Sequence, residues 1–196
     1  NQMKKLLPLL LLILIGCSKE PLNYGLLQER DGVHYRKDTN EIYSGPVFNI
    51  KGTSEGYIKK GKWNGEFEFY HSNGQLKEDS TYKNGNADGL FKFYYENGQL
   101  RDEITYKNGG YIGPFKSYFE NGQTEWEFYY NTDGTRDGTQ KTKRWYENGQ
   151  LWYEGYWITI DEEGVWNGPY KSYYEDGQLE SEKTYKDGEL IDSQEY

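Results

Sequence analysis

The sequence predicts an all-β protein, built as an elongated single-layer antiparallel sheet of repeated β-hairpins. Three observations support this prediction: a short motif that recurs at a nearly constant interval, frequent turn dipeptides, and aromatic residues that alternate with polar ones between the turns. A repeated unit of this length cannot bury its apolar face alone, so neighbouring units are expected to stack into an array.

The recurring motif is Asn-Gly-Gln, which becomes Asp-Gly-Gln in its last occurrence. Successive glutamines of the motif are separated by 24, 24, 27 and 28 residues. Aligning the units on this glutamine places large aromatic side chains in shared columns, which predicts ring ladders between neighbouring hairpins. The motif begins at Asn73, Asn97, Asn121, Asn148 and Asp176. One aromatic column contains Tyr82, Tyr106, Tyr130, Trp157 and Tyr185.

Turn dipeptides of the Asn-Gly and Asp-Gly type separate the aromatic runs. These dipeptides adopt the positive φ angles of type I′ turns at the least steric cost, so we expect type I′ hairpins at them. Between the turns, Phe67 and Phe69 share one face while Glu66 and Glu68 share the other. This two-residue period is typical of a β-strand.

The composition agrees with a thin sheet. Only 34% of the residues are hydrophobic, yet 18% are aromatic, and the chain contains 21 tyrosines. Tyrosine suits a single layer because it can bury its ring while its hydroxyl stays in water.

The N-terminus has the layout of a secretory signal. Lys4 and Lys5 precede an apolar stretch over residues 6–15, which is shorter than the roughly 20 residues that a membrane-spanning helix needs. Residues 14–17, Leu-Ile-Gly-Cys, resemble the lipobox of bacterial lipoproteins. This resemblance implies attachment of diacylglycerol to Cys17 and cleavage after Gly16.

Cys17 is the only cysteine of the chain, so no internal disulfide can use it. The alternative is a buried cysteine in an ordinary signal sequence. Ser18, and not Asp, follows Cys17, which by resemblance to the sorting rule of enteric bacteria favours the outer membrane. We therefore expect a signal peptide over residues 1–16, a lipidated N-terminus and tether over 17–30, and a repeat domain over 31–196 in the bacterial cell envelope.

The charge of the chain limits its partners. The formal net charge is −9, which argues against nucleic acid and against adhesion to anionic lipid headgroups, since both require a basic face. Contact with the membrane is therefore expected through the N-terminal lipid, because several acyl chains together anchor a protein stably.

Residues 93–100, Phe-Tyr-Tyr-Glu-Asn-Gly-Gln-Leu, and residues 105–109, Thr-Tyr-Lys-Asn-Gly, resemble the MORN-repeat variant family. The resemblance extends over residues 31–190, and the bacterial members are often filed as antitoxins of the YwqK type. It implies antiparallel hairpins laid side by side in a twisted sheet, with roles in scaffolding, protein binding and membrane association. An immunity role against a toxin that acts in the envelope is compatible with the lipobox.

The sequence predicts no catalytic residue, no metal site and no cofactor. His34 and His71 are the only histidines, and neither has zinc-ligand spacing. Neither a Gly-x-Ser-x-Gly elbow nor a phosphate-binding loop is present. Carboxylates are plentiful enough for a glycosidase-like pair, but one acidic column recurs in four of the five units, as structural residues do. That column contains Glu96, Glu120, Glu147 and Glu175.

Two insertions interrupt the period, one over residues 131–144 and one around residues 161–163. Insertions in repeat arrays map to loops on one face, often the binding face. The first insertion is basic and the second acidic, so adjacent units should bring them together. The alternative is two solvated turns whose attraction is at most about 1 kcal/mol. The candidate partner-binding residues are Lys141, Lys143, Arg144, Trp157, Asp161, Glu162, Glu163 and Trp166.

Two classes of function remain open. The first is a lipid-anchored scaffold that binds another envelope protein, or a toxin. The second is a carbohydrate-binding or peptidoglycan-binding module in which aromatic rows stack on successive sugars, for which Trp63, Trp126, Trp152 and Trp166 are candidates. Packing between strands is the alternative explanation of these rings.

Overall fold

The structure is a computed structural model that describes residues 19–49, 54–135, 138, 140–160 and 163–196. The described residues form 18 strands and one turn of 3-10 helix, Tyr24–Leu26, with no α-helix among them. No helix in these ranges has the length and apolar character needed to cross a membrane. The predicted all-β array of antiparallel hairpins is confirmed, whereas the signal segment, Cys17, Asp161 and Glu162 lie outside the described residues.

The first nine strands are β1 (Leu22–Asn23), β2 (Leu27–Arg30), β3 (Val33–Arg36), β4 (Gly45–Phe48), β5 (Ser54–Lys59), β6 (Lys62–Trp63), β7 (Gly65–Tyr70), β8 (Leu76–Lys83) and β9 (Asn86–Ala87). The remaining nine are β10 (Gly89–Tyr94), β11 (Leu100–Lys107), β12 (Gly110–Tyr118), β13 (Thr124–Tyr130), β14 (Lys141–Trp145), β15 (Leu151–Ile160), β16 (Glu163–Tyr173), β17 (Leu179–Lys186) and β18 (Glu189–Glu195).

Sixteen strands form one sheet in the order β1-β4-β5-β7-β8-β10-β11-β12-β13-β14-β15-β16-β17-β18, with β6 paired to β5 and β9 paired to β8. Strands β2 and β3 form a separate two-stranded sheet. Every neighbouring pair is antiparallel except β1 and β4, which are parallel. From β4 onward the chain meanders, so each hairpin contacts only the hairpins beside it.

Two kinds of turn recur in the sheet, and they lie at opposite ends of the strands. At Asn84-Gly85 and Asn108-Gly109 both residues have positive φ, as predicted for type I′ turns. Five further turns contain the Asn-Gly-Gln or Asp-Gly-Gln motif, and we call them the Gln turns. Here only the glycine has positive φ, for example 85° at Gly74, so the predicted type I′ geometry is wrong for them.

The Gln turns differ because the asparagine side chain serves the turn and also its neighbour. The His71 carbonyl accepts from the Gly74 N–H at 2.9 Å, and the Asn73 Oδ1 accepts from the Gln75 N–H at 2.9 Å. The Asn73 Nδ2 then donates to the Glu96 carbonyl of the next Gln turn at 2.7 Å. The same bridge recurs from Asn97, Asn121 and Asn148. The motif therefore joins consecutive units directly.

The residue that opens the Gln turn makes a second link to the next unit in three of the five turns. The Tyr95 hydroxyl donates to the Tyr118 carbonyl at 2.7 Å, and the Tyr146 hydroxyl donates to the Tyr173 carbonyl at 2.9 Å. His71 Nε2 lies 2.9 Å from the Tyr94 carbonyl and takes the same role. His71 occupies the same position relative to the motif as Tyr95 and Tyr146, and its hydrogen bond shows that it is equivalent to them in the fold.

The two faces of the sheet differ in chemistry. On one face, which we call the aromatic face, ring contacts run from Trp63 to Tyr185 across the sheet. The opposite, charged face carries cross-strand pairs of opposite sign, such as Lys116 with Glu127 and Lys171 with Glu182. These pairs are partly exposed, so each contributes little to stability, and the rings supply most of the packing.

The N-terminal end of the sheet is closed by a hydrophobic cap. Its buried core contains Leu27, Tyr43, Val47, Ile58 and Phe67. Buried beside this core, the His34 Nδ1 donates to the Gly61 carbonyl at 2.8 Å, and the Nε2 accepts from the Tyr24 hydroxyl and from the Trp63 indole N–H. These residues come from several segments between Tyr24 and Phe67, including strands of both sheets.

The cap corrects the expected domain boundary. Residues 17–30 are predicted to be a tether, but Leu22 pairs with Val47 in β1 and β4, and Leu27 is buried in the core. The prediction fails because these residues are held by contacts with residues that are distant in the sequence, and the segment contains no repeated motif that would indicate a strand. The ordered part of the chain therefore includes residues 22–30.

Candidate functional site

Three columns on the aromatic face, next to the Gln turns, vary from unit to unit. A turn unit is one Gln turn with the strand on either side, numbered 1 to 5 from the turn at Asn73. In each unit a β-bulge follows the turn: Phe93 pairs with Asp102 and Tyr94 pairs with Leu100, which leaves Arg101 as the extra residue. The three variable positions are Phe69, Lys77 and Glu78 in unit 1; Phe93, Arg101 and Asp102 in unit 2; Ser117, Glu125 and Trp126 in unit 3; Arg144, Trp152 and Tyr153 in unit 4; and Ser172, Glu180 and Ser181 in unit 5.

A groove of about 410 Å³ opens on this face at unit 3. Its cause is visible in the first variable column, where Phe69 and Phe93 are followed by Ser117. The small side chain of Ser117 leaves a gap where the preceding units carry a phenyl ring. The groove is lined by Tyr95, Arg101, Asp102, Phe115, Ser117, Glu125, Trp126, Phe128 and Tyr130.

The floor of the groove is aromatic. The rings of Phe115 and Phe128 stack with centroids 4.5 Å apart, and Trp126 meets Phe128 edge to face at 6.2 Å. Cross-strand pairing of Phe115 with Phe128 and of Ser117 with Trp126 fixes these side chains on one face. The floor is therefore formed by packed rings on regular strands and not by a loop.

Two arginine–carboxylate pairs border the floor. The Arg101 Nε donates to Asp102 at 2.7 Å, and the Arg144 Nη2 donates to Glu125 at 3.2 Å. The Arg144 guanidinium also lies 4.7 Å from the ring centroid of Trp126 and 4.6 Å from that of Trp152. Such cation–π contacts hold the guanidinium in place, so this border of the groove is preorganised.

Tyr95, which lines the groove, keeps its hydroxyl neutral to a higher pH than a free tyrosine does. Burial raises the pKa of the Tyr95 hydroxyl, and the nearby carboxylates of Glu125 and Asp102 add to this shift.

Within the described ranges, no group of three or more His, Cys, Asp or Glu side chains is placed to bind a metal ion. An apolar floor bordered by fixed hydrogen-bonding and charged groups is typical of a recognition surface.

The structure separates the residues predicted to form one site. Lys141, Lys143 and Arg144 lie in strand β14, so the expectation that they belong to an inserted loop is wrong. The strand alternates its side chains between the two faces. Lys141 therefore reaches Glu154 on the charged face at 2.7 Å, whereas Arg144 joins the groove on the aromatic face.

The remaining candidates lie away from the groove. Trp157 and Trp166 pair across β15 and β16 with ring centroids 4.6 Å apart at 88°, near the strand ends opposite the Gln turns. Glu163 begins β16. Lys141 and Lys143 line a smaller cavity of about 280 Å³, together with Tyr129 and Tyr156.

Sequence reasoning missed the residues that form the gap and its borders, namely Ser117, Arg101, Asp102 and Glu125. The signal that could have found them is the aligned column in which Phe69 and Phe93 give way to Ser117. Such a column shows a missing ring, but only the strand register shows which side chains surround the space.

Four segments of the chain match the MORN repeat variant family: residues 63–84, 87–108, 136–158 and 166–187. No curated protein is similar in sequence to this chain. Between the second and third segments lie residues 109–135, which form the hairpin β12–β13 and keep the Gln turn at Asn121. That hairpin contributes most of the groove. Segments on both sides of the groove are thus similar to the MORN repeat variant family.

Proposed function

We propose that this chain is a non-catalytic bacterial envelope lipoprotein, anchored by a lipid on Cys17, which binds a protein partner through the aromatic face of its sheet. The observation that carries the proposal is the groove at unit 3. The repeats on both sides keep their family pattern, while the hairpin between them departs from it and forms a recognition surface. A repeat array supplies the extended, rigid support that such a surface needs.

A protein partner explains the ring geometry better than a glycan does. Stacking on sugars requires open ring faces, yet Arg144 lies over Trp126 and Trp152. Trp157 and Trp166 are packed edge to face. Aromatic residues and arginine together are also the residues most enriched at protein interfaces. A toxin that acts in the envelope is one class of protein partner, and it would give the chain an immunity role.

The anchor is tested by metabolic labelling with an alkyne analogue of palmitate. We expect the wild-type chain to be labelled and to sediment with membranes, and we expect Cys17→Ser to lose both properties. Labelling that persists in Cys17→Ser would disprove the anchor. The control is Ser18→Ala, which changes the neighbouring residue and should leave labelling intact.

The binding role is tested by photo-crosslinking in cells. A photoreactive amino acid at position 95 lies at the groove, whereas one at position 92 lies on the charged face. We expect a discrete crosslinked protein from position 95 and none from position 92. If the purified chain instead converts a cell-wall substrate, and one carboxylate substitution stops the reaction, the non-catalytic proposal is wrong.

A further inference from the structure

We infer that the groove binds an extended, basic peptide segment of the partner, with one large apolar side chain inserted into the gap above Ser117. This inference rests on the proposed binding role and specifies the chemistry of the partner. It follows from three features of the groove: the missing ring, the charge of its border, and the spacing of the variable columns.

The missing ring defines the anchor side chain. Phe69 and Phe93 occupy the first variable column in units 1 and 2, and Ser117 interrupts that row. A phenyl or indole group from the partner would restore the row and cover the rings of Phe115 and Trp126. Buried aromatic anchors of this kind carry most of the energy at protein interfaces. The 410 Å³ of the groove is enough for one such side chain and its backbone.

The border of the groove defines the charge of the peptide. Arg101 and Arg144 are already paired with Asp102 and Glu125 and lie against aromatic rings. Each carboxylate has further lone pairs that can accept hydrogen bonds. The chain as a whole carries a net charge of −9. Among the residues that line the groove, the carboxylates of Asp102 and Glu125 outnumber the single guanidinium of Arg101, so the local field favours a cationic segment over an acidic one.

The column spacing defines the register of an extended peptide. Equivalent positions in consecutive units are two strands apart, or about 10 Å. An extended peptide that crosses the strands advances about 3.3 Å per residue. It therefore covers one unit every three residues. An anchor at unit 3 places the residues three before and three after it over the carboxylates and rings of units 2 and 4.

The variant that tests the gap is Ser117→Phe, which installs the ring that units 1 and 2 carry at the same column. The matched control is Ser172→Phe, which makes the same change in the same column of unit 5, where the serine is 5% exposed compared with 7% for Ser117. Both variants are checked for native circular dichroism before binding is measured. If Ser117→Phe does not fold, the double variant Asp102→Asn and Glu125→Gln removes the border charges at nearly constant volume.

The probe is a displayed library of short random peptides selected on the full chain in detergent. We expect the selected peptides to share an aromatic or large aliphatic residue with Lys or Arg within three positions of it. Their affinity should fall at least about tenfold in Ser117→Phe and stay unchanged in Ser172→Phe. The charge-neutral double variant should bind more weakly and lose most of its dependence on salt.

Selected peptides that bind Ser117→Phe as well as wild type, or that are enriched in acidic residues, would overturn the inference. Soluble peptidoglycan fragments that bind the wild-type chain and not Ser117→Phe would place a sugar in the groove, and would also overturn it. A position-95 crosslink that persists in Ser117→Phe leaves the scaffold role standing while this inference fails. If no position on either face gives a crosslink, the scaffold role itself fails.

Discussion

The two ends of the sheet are stabilised in different ways. At the N-terminal cap, Val47, Ile58 and Phe67 are at most 1% exposed, and residues from several distant segments surround them. At the other end, every residue of β18 is exposed, including Leu190 and Ile191. The cap is thus a small closed core, whereas in the array each hairpin packs only against the hairpins beside it.

The difference shows that one chain can use two sources of stability. A closed core removes apolar surface from water on all sides. A single layer leaves much of each ring half-exposed, and the array compensates with cross-strand ring pairs and with direct hydrogen bonds between units. Local damage should therefore be most costly at the cap and graded along the array.

The largest expected effect comes from Phe67→Ala. Phe67 is fully buried where the cap meets the array, and its ring stacks on Trp63 with centroids 4.5 Å apart. Removing it should lower the free energy of unfolding by about 3–5 kcal/mol. Tyr185→Ala, in the half-buried ring near the end of the array, should cost clearly less. If the two variants lose the same free energy of unfolding in urea, the distinction between the closed core of the cap and the open array is wrong.

The second effect concerns the buried histidine of the cap. His34→Ala removes the acceptor of the Trp63 N–H and of the Tyr24 hydroxyl, while the Gly61 carbonyl keeps its bond from the backbone N–H of residue 34. Each of these two partly buried groups left unsatisfied costs about 1–3 kcal/mol, so we expect a clear destabilisation in thermal unfolding. His71→Tyr is the control in the array, because tyrosine already fills that role at positions 95 and 146. A near-neutral His34→Ala would contradict the cap as described.

The array was predictable from the sequence because its contacts join residues that are close together in the sequence. The interval between motifs, the turn dipeptides and the alternation of Phe67 with Glu66 all describe contacts between neighbouring strands. The cap was not predictable, because the parallel pairing of Leu22 with Val47 joins segments that share no motif. Arg144 was predicted as part of a loop because it belongs to a basic run, and such runs are usually exposed to solvent. Only the strand register shows which face of the sheet its side chain occupies.

The candidate site was only partly predictable for the same reason. Arg144 belongs to the set chosen from the sequence, but the insertion that drew attention to it does not form the groove. Ser117 is small and has no reactive group, so nothing in its own chemistry marks it. Ser117 contributes to the site because it stands where other units carry a phenyl ring, and this can be recognised only by comparison with Phe69 and Phe93.

The third effect tests the bridge between units. Asn148→Asp keeps the side-chain oxygen that accepts from the Gln150 N–H, but it loses the donor to the Glu175 carbonyl at 2.8 Å. We expect a loss of about 0.5–1.5 kcal/mol in urea unfolding. Asp176→Asn is the reverse control, since within the described sheet no further Gln turn follows it to accept a bond. A stabilising Asp176→Asn, or a neutral Asn148→Asp, would show that the bridge does not hold units together.

The smallest effect at neutral pH is expected from Tyr170→Phe, and it should grow only in alkali. Burial raises the pKa of Tyr170 to about 12, and the neighbouring Tyr153 and Tyr185 phenols add to the shift. The folded chain therefore holds this proton more tightly than the unfolded chain, in which tyrosine has a pKa near 10. The resulting stabilisation is complete below pH 10 and is lost as the pH rises from about 10 to about 12. The array relies on tyrosine where the cap relies on aliphatic residues, so alkali should weaken it. Urea midpoints measured across this range should fall less steeply in Tyr170→Phe than in wild type, with Tyr174→Phe as the control for the loss of an exposed hydroxyl. Identical slopes in wild type and Tyr170→Phe would mean that the buried phenol does not link the array to pH.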